Sequence, residues 1–289
     1  VTFTCNICGT RNTVEQFATE PATCGCGSNV RLRALIHLLS VELFGFGMPL
    51  PEFPRLKGIR GIGLTDKECY ADRLAEKFDY TNTQYDREPR LDITRPHAEI
   101  AGTCDFLLAA DVLEHIAPPV ERAMEVMCRL LKPNGFLGVT IYCHPSDKMR
   151  EHFPELYEYR VVPLGETNVL VNRRRDGTLE VRDGLIFHGG TGETLEMREF
   201  GITALQEKLR AAGFQTVHLL TGDIPEIGVV FDPDVSQPLI ARKQPYTLGG
   251  DARRELIEQW RRRSAEIGLA AQSRWIKLGR TLGVGPKFS

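Results

Sequence analysis

The stretch from Asp105 to Tyr142, DFLLAADVLEHIAPPVERAMEVMCRLLKPNGFLGVTIY, decides the fold class. Asp105 leads into Phe106-Leu107-Leu108-Ala109-Ala110, a short continuous apolar run of the kind a parallel strand buried on both faces requires. Asp111 marks its carboxyl end. After Pro118-Pro119, the residues Val120, Ala123, Met124, Met127, Leu130 and Leu131 recur at helical spacing, with Glu121, Arg122, Glu125 and Arg129 on the other side. Lys132-Pro133-Asn134-Gly135 is expected to end that helix, and Phe136 to Tyr142 reads as the next strand.

Upstream, Gly58 to Leu64 reads as a first strand. Thr65-Asp66-Lys67-Glu68 has the Thr-x-x-Glu form of a capping box, for a helix that turns Cys69, Leu74, Ala75 and Phe78 inward. Tyr80 to Tyr85 supplies a second strand and Arg90 to Thr94 a third short apolar piece. Downstream, Thr203 to Gln206 repeats the capping-box form, its helix closes at Gly213, and Thr216–Leu220, Ile227–Phe231 and Leu239–Arg242 read as late strands. This alternation predicts an α/β fold, a doubly wound and mostly parallel sheet whose ligand lies over the strands' carboxyl ends. Those ends present Gly63, Thr65, Asp66, Thr83, Asp92 and Asp111. Gly61-x-Gly63 is compatible with a ligand-binding turn and with close packing of strand on helix, because the third glycine of a dinucleotide fingerprint is missing.

From Pro145 to Gly201 the alternation is interrupted. Arg173-Arg174-Arg175-Asp176-Gly177 reads as the turn of a β-hairpin between Val169–Asn172 and Thr178–Val181. Hanging after the strand that ends at Tyr142, the insertion is expected to cover the rim of the ligand site. The run His188-Gly189-Gly190-Thr191-Gly192 is either a flexible turn or a phosphate cradle.

The chain has 289 residues, 42% of them hydrophobic, enough for a sizeable core. A net charge of -2 argues against a wholly basic nucleic-acid binder, though not against a local basic face. No apolar run reaches the length of a membrane-spanning helix and no signal-peptide pattern opens the chain, so a cytoplasmic, reducing location is expected. Four of the eight cysteines cluster: Cys5-x2-Cys8, fifteen residues, then Cys24-x-Cys26. Two close thiolate pairs suit a tetrahedral structural zinc, with a disulfide pair or free thiols as the alternative. Four thiolates leave no open position for catalysis by that metal. Cys69, Cys104, Cys128 and Cys143 read as small buried hydrophobes.

Ser28 is expected to cap a helix with Leu32, Leu35, Ile36, Leu39 and Leu43 on its apolar face. Arg31 and Arg33 either bind an anion or bridge to the main domain. From Asp251 onward, nine Lys or Arg face four Asp or Glu. There Leu256, Ile257 and Trp260 share one helical face near Arg261, Arg262 and Arg263. This helix is read either as a contact for an anionic surface or as packed on the domain or on a second copy of the chain. The expected division is a knuckle at 1–28, a helix and linker at 29–54, a main domain at 55–245 with its insertion at about 145–200, and a basic helical tail at 246–289.

Asp111-Val112-Leu113-Glu114-His115 after an apolar strand, followed by Arg129-Leu130-Leu131-Lys132-Pro133-Asn134-Gly135-Phe136, resembles the "VLEH … LLKPGG" signature of class I S-adenosylmethionine-dependent methyltransferases, in the branch with a methyltransferase type 11 domain. Leu209 to Phe214, LRAAGF, adds to the likeness. The four-cysteine segment followed by Ser28-x2-Arg31-x-Arg33 resembles the N-terminal extension of some bacterial members. The resemblance implies a Rossmann-like fold and S-adenosylmethionine as cofactor. It implies that Gly61 and Gly63 line the methionine moiety, that Asp92 and Ile93 lie by the adenine, and that Asp111, Val112 and Leu113 form the floor near the sulfonium. Because the family's glycine-rich turn is shortened here to RGIGLTD, Thr65 or Asp66 is expected to replace a contact, with Thr83, Gln84 or Asp86 in the neighbourhood of the usual second-strand acid.

Methyl transfer displaces a neutral thioether from a sulfonium, so alignment of the nucleophile does most of the catalysis. A hydroxyl acceptor also needs a base. His115, His144 and His188 fall in rim segments, and His144 and His188 are favoured for acceptor chemistry because His115 also belongs to the signature. The expected activity is O-methylation of a sugar hydroxyl in a bacterial glycan or its precursor, a loose similarity that includes the C-terminal SRWIKLGRTLGVGP. The competing readings are an RNA or protein acceptor docked by knuckle and tail, and a zinc-containing binding module without activity. A homo-oligomer is a further expectation.

Overall fold

The structure is a computed structural model that describes residues 1–15, 23–144, 146–188, 194–231 and 237–273. Its centre is a six-stranded sheet. The strands are β1 (Leu56–Leu64), β2 (Phe78–Thr83), β3 (Cys104–Ala110), β4 (Leu131–Ile141), β5 (Thr216–Leu219) and β6 (Gln237–Arg242). Across the sheet they run β5-β6-β4-β3-β1-β2. β2, β1, β3 and β4 pair in parallel, and β6 is antiparallel to both its neighbours.

Helices cover both faces. α1 (Val30–Phe44) and α2 (Glu68–Lys77) share one buried core with Phe106 and Phe136 of the sheet, and the start of α5 (Gly250–Gln272) joins it through Ala252. α3 (Val120–Leu130) and α4 (Ile202–Ala211) share the other core with Leu107, Leu137 and Val139. Because successive residues of a strand face opposite ways, continuous runs such as Phe106 to Ala109 feed both cores at once, which is why they do not alternate.

Between β1 and β3 the winding reverses. From β1 the chain passes through α2 to β2 on one side, then crosses back to β3 on the other. Such a switch point opens a crevice at the carboxyl ends of the two strands.

Several local expectations are corrected. Asn29, not Ser28, caps α1, its Oδ1 accepting from Leu32 N at 3.1 Å. Neither capping box forms: Lys67 and Gly201 precede α2 and α4 without a side-chain cap, and Thr203 Oγ1 donates to Asp147 instead, at 2.6 Å. In α2 the inward residues are Tyr70, Ala71 and Leu74, whereas Ala75 is exposed. Arg90 to Thr94 is no strand, keeping only an isolated bridge from Arg90 to Gln84. Ile227–Phe231 is replaced by a 3-10 turn, Pro225–Ile227, and a bridge between Ile224 and Val229. At 131 the helix passes straight into β4, with no separate Lys-Pro-Asn-Gly loop.

The insertion is a three-stranded antiparallel sheet, Glu158–Leu164, Thr167–Arg173 and Leu179–Arg182, followed by short pairings up to Arg198–Gly201. The expected hairpin turn is present, with Gly177 at φ 87°. Of the expected glycine run after His188, residues 189–192 lie outside the described residues, as do 274–289. On α5 the docking face is not Leu256, Ile257 and Trp260, all exposed. It is Ala252, Glu255, whose Oε2 accepts from Gly58 N at 3.2 Å, and Gln259, whose Oε1 accepts from Arg55 N at 3.2 Å.

Gly61 is a packing position. A Cβ there would overlap the Phe106 ring, which stacks between Tyr80 and Phe136 at 5.9 Å on each side and meets Phe78 edge-on at 5.8 Å. The ring has no room to give. Gly61→Ala is therefore expected to cost about 1–3 kcal/mol, read as a lower urea midpoint at unchanged slope; a midpoint equal to that of the unaltered protein would contradict this packing.

Candidate functional site

Two non-glycine residues among those described have positive φ: Thr65 at 58° and Asp111 at 55°. They sit directly after β1 and β3, one on each side of the switch point. A side chain in this region costs of order 1–3 kcal/mol, a strain that persists only where surrounding contacts hold it and that clusters at ligand sites. Here the contacts are visible. Thr65 N donates to Thr83 O at 2.8 Å and Asp111 N to Thr140 O at 2.9 Å. Asn82 clamps the next residue in both directions, Nδ2 donating to Asp66 O at 2.8 Å and Oδ1 accepting from Asp66 N at 2.9 Å.

The other residues expected here are distributed unevenly. A Cβ on Gly63 would overlap the Tyr80 hydroxyl and the Asp66 carboxylate, so this glycine, like Gly61, makes room for packing. Asp66 is buried, accepting from the Tyr80 hydroxyl with Tyr70 alongside. Burial pushes its carboxyl up to about 7, against the pull of those hydroxyls. Thr83 is buried, its Oγ1 donating to Gly63 O at 2.7 Å. Asp92 closes a turn, its Oδ1 accepting from Thr94 N at 3.0 Å and from Thr94 Oγ1 at 2.6 Å, while Ile93 belongs to the core. Leu113 is fully buried and Val112 half-buried.

Asp111 is drawn into an ion pair with Arg31 of α1, Oδ2 to Nη1 at 2.6 Å, and its Oδ1 accepts from Thr140 Oγ1 at 3.1 Å. Burial raises its carboxyl and the Arg31 charge opposes that. Arg31 thus bridges to the strand ends. Arg33 is fully buried, donating to Ser28 O at 3.1 Å and to Gly228 O at 2.7 Å, with its guanidinium 4.6 Å from the Phe3 ring centre.

Beside Asp111, a short 3-10 turn, Leu113–His115, meets the insertion. Met197 N donates to Glu114 O at 2.8 Å, and the fully buried Arg198 donates to Leu113 O at 2.6 Å while pairing with Glu151 at 2.7 Å. These contacts bring His188 against His115, ring centres 4.8 Å apart and nearly perpendicular. His188 Nε2 and His152 Nε2 each lie 2.8 Å from an oxygen of Glu196. Burial, reinforced by the Asp111 charge, pushes Glu114 up to about 8, and burial lowers His115. His144 stands apart, exposed, its Nδ1 accepting from Ser146 N at 3.2 Å. Of the three candidate histidines, His115 and His188 are brought together and His144 is not. Glu196, His152 and Arg198 escaped sequence reasoning because nothing in their local pattern marks them; Glu114 was not singled out either, although its place within DVLEH is a signal that could have found it.

Near the N-terminus the four cysteines converge, with a sulfur from each within 4.8 Å of the others. Cys5 and Cys26 are 3.9 Å apart and Cys8 and Cys24 3.5 Å, all four unbridged. Disulfide sulfurs stand at about 2.05 Å, whereas tetrahedral zinc with bonds of about 2.3 Å holds its sulfurs about 3.8 Å apart.

No protein-family model matches the chain, and no curated protein matches it. Among solved structures it is similar to the citrinin polyketide synthase CMeT domain, at 14% identity and TM-score 0.39 over 64% of this chain and 46% of that one, so it spans about half that length. It is also similar to the Burkholderia thailandensis 1,6-didemethyltoxoflavin-N1-methyltransferase with bound 1,6-didemethyltoxoflavin and S-adenosylhomocysteine, at 16% identity and TM-score 0.39 over 73% and 79%. A third is an S-adenosylmethionine-dependent methyltransferase from Clostridium acetobutylicum ATCC 824, at 10% identity and TM-score 0.38 over 64% and 83%.

Proposed function

We propose that this chain is an S-adenosylmethionine-dependent methyltransferase that methylates a sugar hydroxyl of a bacterial glycan or glycan precursor. The observation that carries the reading is the pair of strained residues, Thr65 and Asp111, at the two strand ends of the switch point. Asp111 also opens the DVLEH motif. In this reading the cofactor lies across those strand ends, with Thr65 and Thr83 on one side, Asp92 and Ile93 beyond them, and Asp111 to Leu113 beneath. The bound cofactor supplies an activated methyl group on a sulfonium; the chain's part is to hold that group in line with the acceptor oxygen and keep water out. Gly61 and Gly63 let the strand pack closely behind the cleft.

For the acceptor, support comes from the rim: His115, His188 and Glu196 suit a neutral, hydrogen-bonding hydroxyl compound. The glycan assignment rests further on the resemblance to glycan-associated members. The four cysteines are assigned a structural zinc, and the exposed arginines of α5 a contact with an anionic surface.

Calorimetry on zinc-loaded protein tests the cofactor. S-adenosylhomocysteine is expected to bind saturably, and no heat at millimolar ligand would sink the enzyme reading. Transfer of labelled methyl groups to glycan rather than RNA is expected; labelling of RNA alone would refute the acceptor class.

A further inference from the structure

We propose that Glu114, His115 and His188 form a binding site for a divalent first-row metal ion at the rim of the cleft, open on one side to a hydroxyl-bearing ligand. A donor atom from each of the three lies within 4.8 Å of the others. The hydrogen bonds of the two rings decide which nitrogen is free. His115 Nδ1 faces the carbonyl of Leu195 at 3.0 Å, and a carbonyl can only accept, so Nδ1 carries the hydrogen and Nε2 keeps its lone pair. His188 Nε2 faces a carboxylate oxygen of Glu196 at 2.8 Å and so carries a hydrogen, which leaves Nδ1 as the ring nitrogen available to a metal. Both rings are thus oriented by outer acceptors, the arrangement that holds metal-bound histidines in place.

Glu114 is a second and independent indication. The residue is 4% exposed, and Oε2 has no hydrogen-bond partner among the described residues. Leaving such an oxygen unpartnered in the interior costs about 1–3 kcal/mol or more, a cost a cation would offset. Arg31, whose charge opposes the upward shift of Glu114, pairs with Asp111.

The site is built on a braced frame. His152 holds the second oxygen of Glu196, Met197 holds the Glu114 carbonyl, and the buried Arg198 ties Leu113 to Glu151. Two imidazoles and one carboxylate favour manganese, iron, cobalt, nickel or zinc over the all-oxygen preference of calcium and magnesium. With three protein ligands, positions remain for water or for acceptor oxygens.

The existence of the site does not depend on the methyltransferase reading; its role does. In that role a metal-bound hydroxyl loses its proton to solvent more readily. Its oxygen then forms a bond to the methyl carbon as the carbon–sulfur bond breaks and its electron pair stays on sulfur.

Manganese tests the site, because it is a poor partner for the four thiolates. Full-length protein carrying one equivalent of zinc is titrated with MnCl2, and free Mn(II) is followed by electron paramagnetic resonance. One saturable manganese per chain is expected. Glu114→Gln and His188→Ala are each expected to weaken it at least about tenfold, and Glu196→Gln by about tenfold through the orientation of His188. His218→Ala, on β5, is expected to leave the affinity unchanged. Since His188 is 41% exposed, its replacement keeps the fold even where Glu114→Gln disturbs it, which thermal melting of each variant checks. Absence of saturable binding, or equal affinity in His188→Ala and the unaltered protein, overturns the proposal. S-adenosylhomocysteine binding on the same samples separates the outcomes: manganese bound without it leaves the site standing and removes its methyltransferase role, and the converse removes the site alone.

Discussion

Cys24→Ser is expected to abolish stoichiometric zinc and to destabilise much more than the knuckle that carries it. Free energies of about 10–16 kcal/mol have been associated with structural zinc in small peptides, most of it expressed as folding. The first residues have little core of their own, but Phe3, Cys5, Ile7 and Cys24 are buried in the same cluster as Leu35 and Leu39 of α1. Asn6 donates to the Arg33 carbonyl at 2.8 Å and accepts through its own carbonyl from Leu50 N at 2.7 Å. Arg33 then reaches the turn at Gly228. Loss of the metal should expose Phe3 and Ile7 and loosen the contacts of the buried Arg33; a charge left buried without its partners costs about 3–5 kcal/mol. A fall in melting temperature, together with elemental analysis near one zinc per unaltered chain, checks this. Far less than one zinc, or equal melting temperatures for the variant and the unaltered protein, would count against the cysteine assignment.

The second large effect concerns pH. With a folded-state value of about 7 against an ordinary 3.8, Asp66 holds its proton in the folded protein after the unfolded chain has lost it. Between those values the native state binds more protons, so stability falls as pH rises, by about 1.4 kcal/mol per unit and about 4 kcal/mol in all. Its contribution is complete below pH 4 and gone above pH 7. Asp66→Asn cannot titrate, and it keeps an oxygen for the Tyr80 hydroxyl. Relative to the unaltered protein, the variant should therefore gain about 3 kcal/mol on going from pH 4.5 to 7.5. Urea midpoints at the two values measure it, and an equal difference at both would show that Asp66 is not buried as a neutral acid.

How far the sequence carries can be seen residue by residue. The run Phe106 to Ala110, the helix after Pro119 and the strand at Gly58 to Leu64 were all legible, since each is encoded by the spacing of apolar side chains within a few residues. The caps were not. Ser28 and Asn29 are both good caps, and the choice falls to Asn29 because the Ser28 hydroxyl lies 3.2 Å from Cys5 Sγ and accepts from Arg33. Thr65 misses its capping role because its backbone turns left-handed to enter the strand-end turn. Leu256, Ile257 and Trp260 form an apolar face that the domain leaves uncovered, since the helix meets β1 through the shorter Ala252 and the polar Glu255, and Arg55 just before it through Gln259.

By itself the sequence determined that strands and helices alternate, that Thr65, Thr83 and Asp111 stand at strand ends, and that two pairs of thiols lie close enough in the chain to meet at one metal. These are local properties, set by periodicity and spacing. Only the tertiary structure decided that Arg31 pairs with Asp111, that Asp66 turns inward beneath Tyr80, and that His188 crosses from the insertion to His115 with Glu196 behind it. Each joins segments distant in sequence, and such contacts are selected by what packs and what must be hydrogen-bonded once the core has formed.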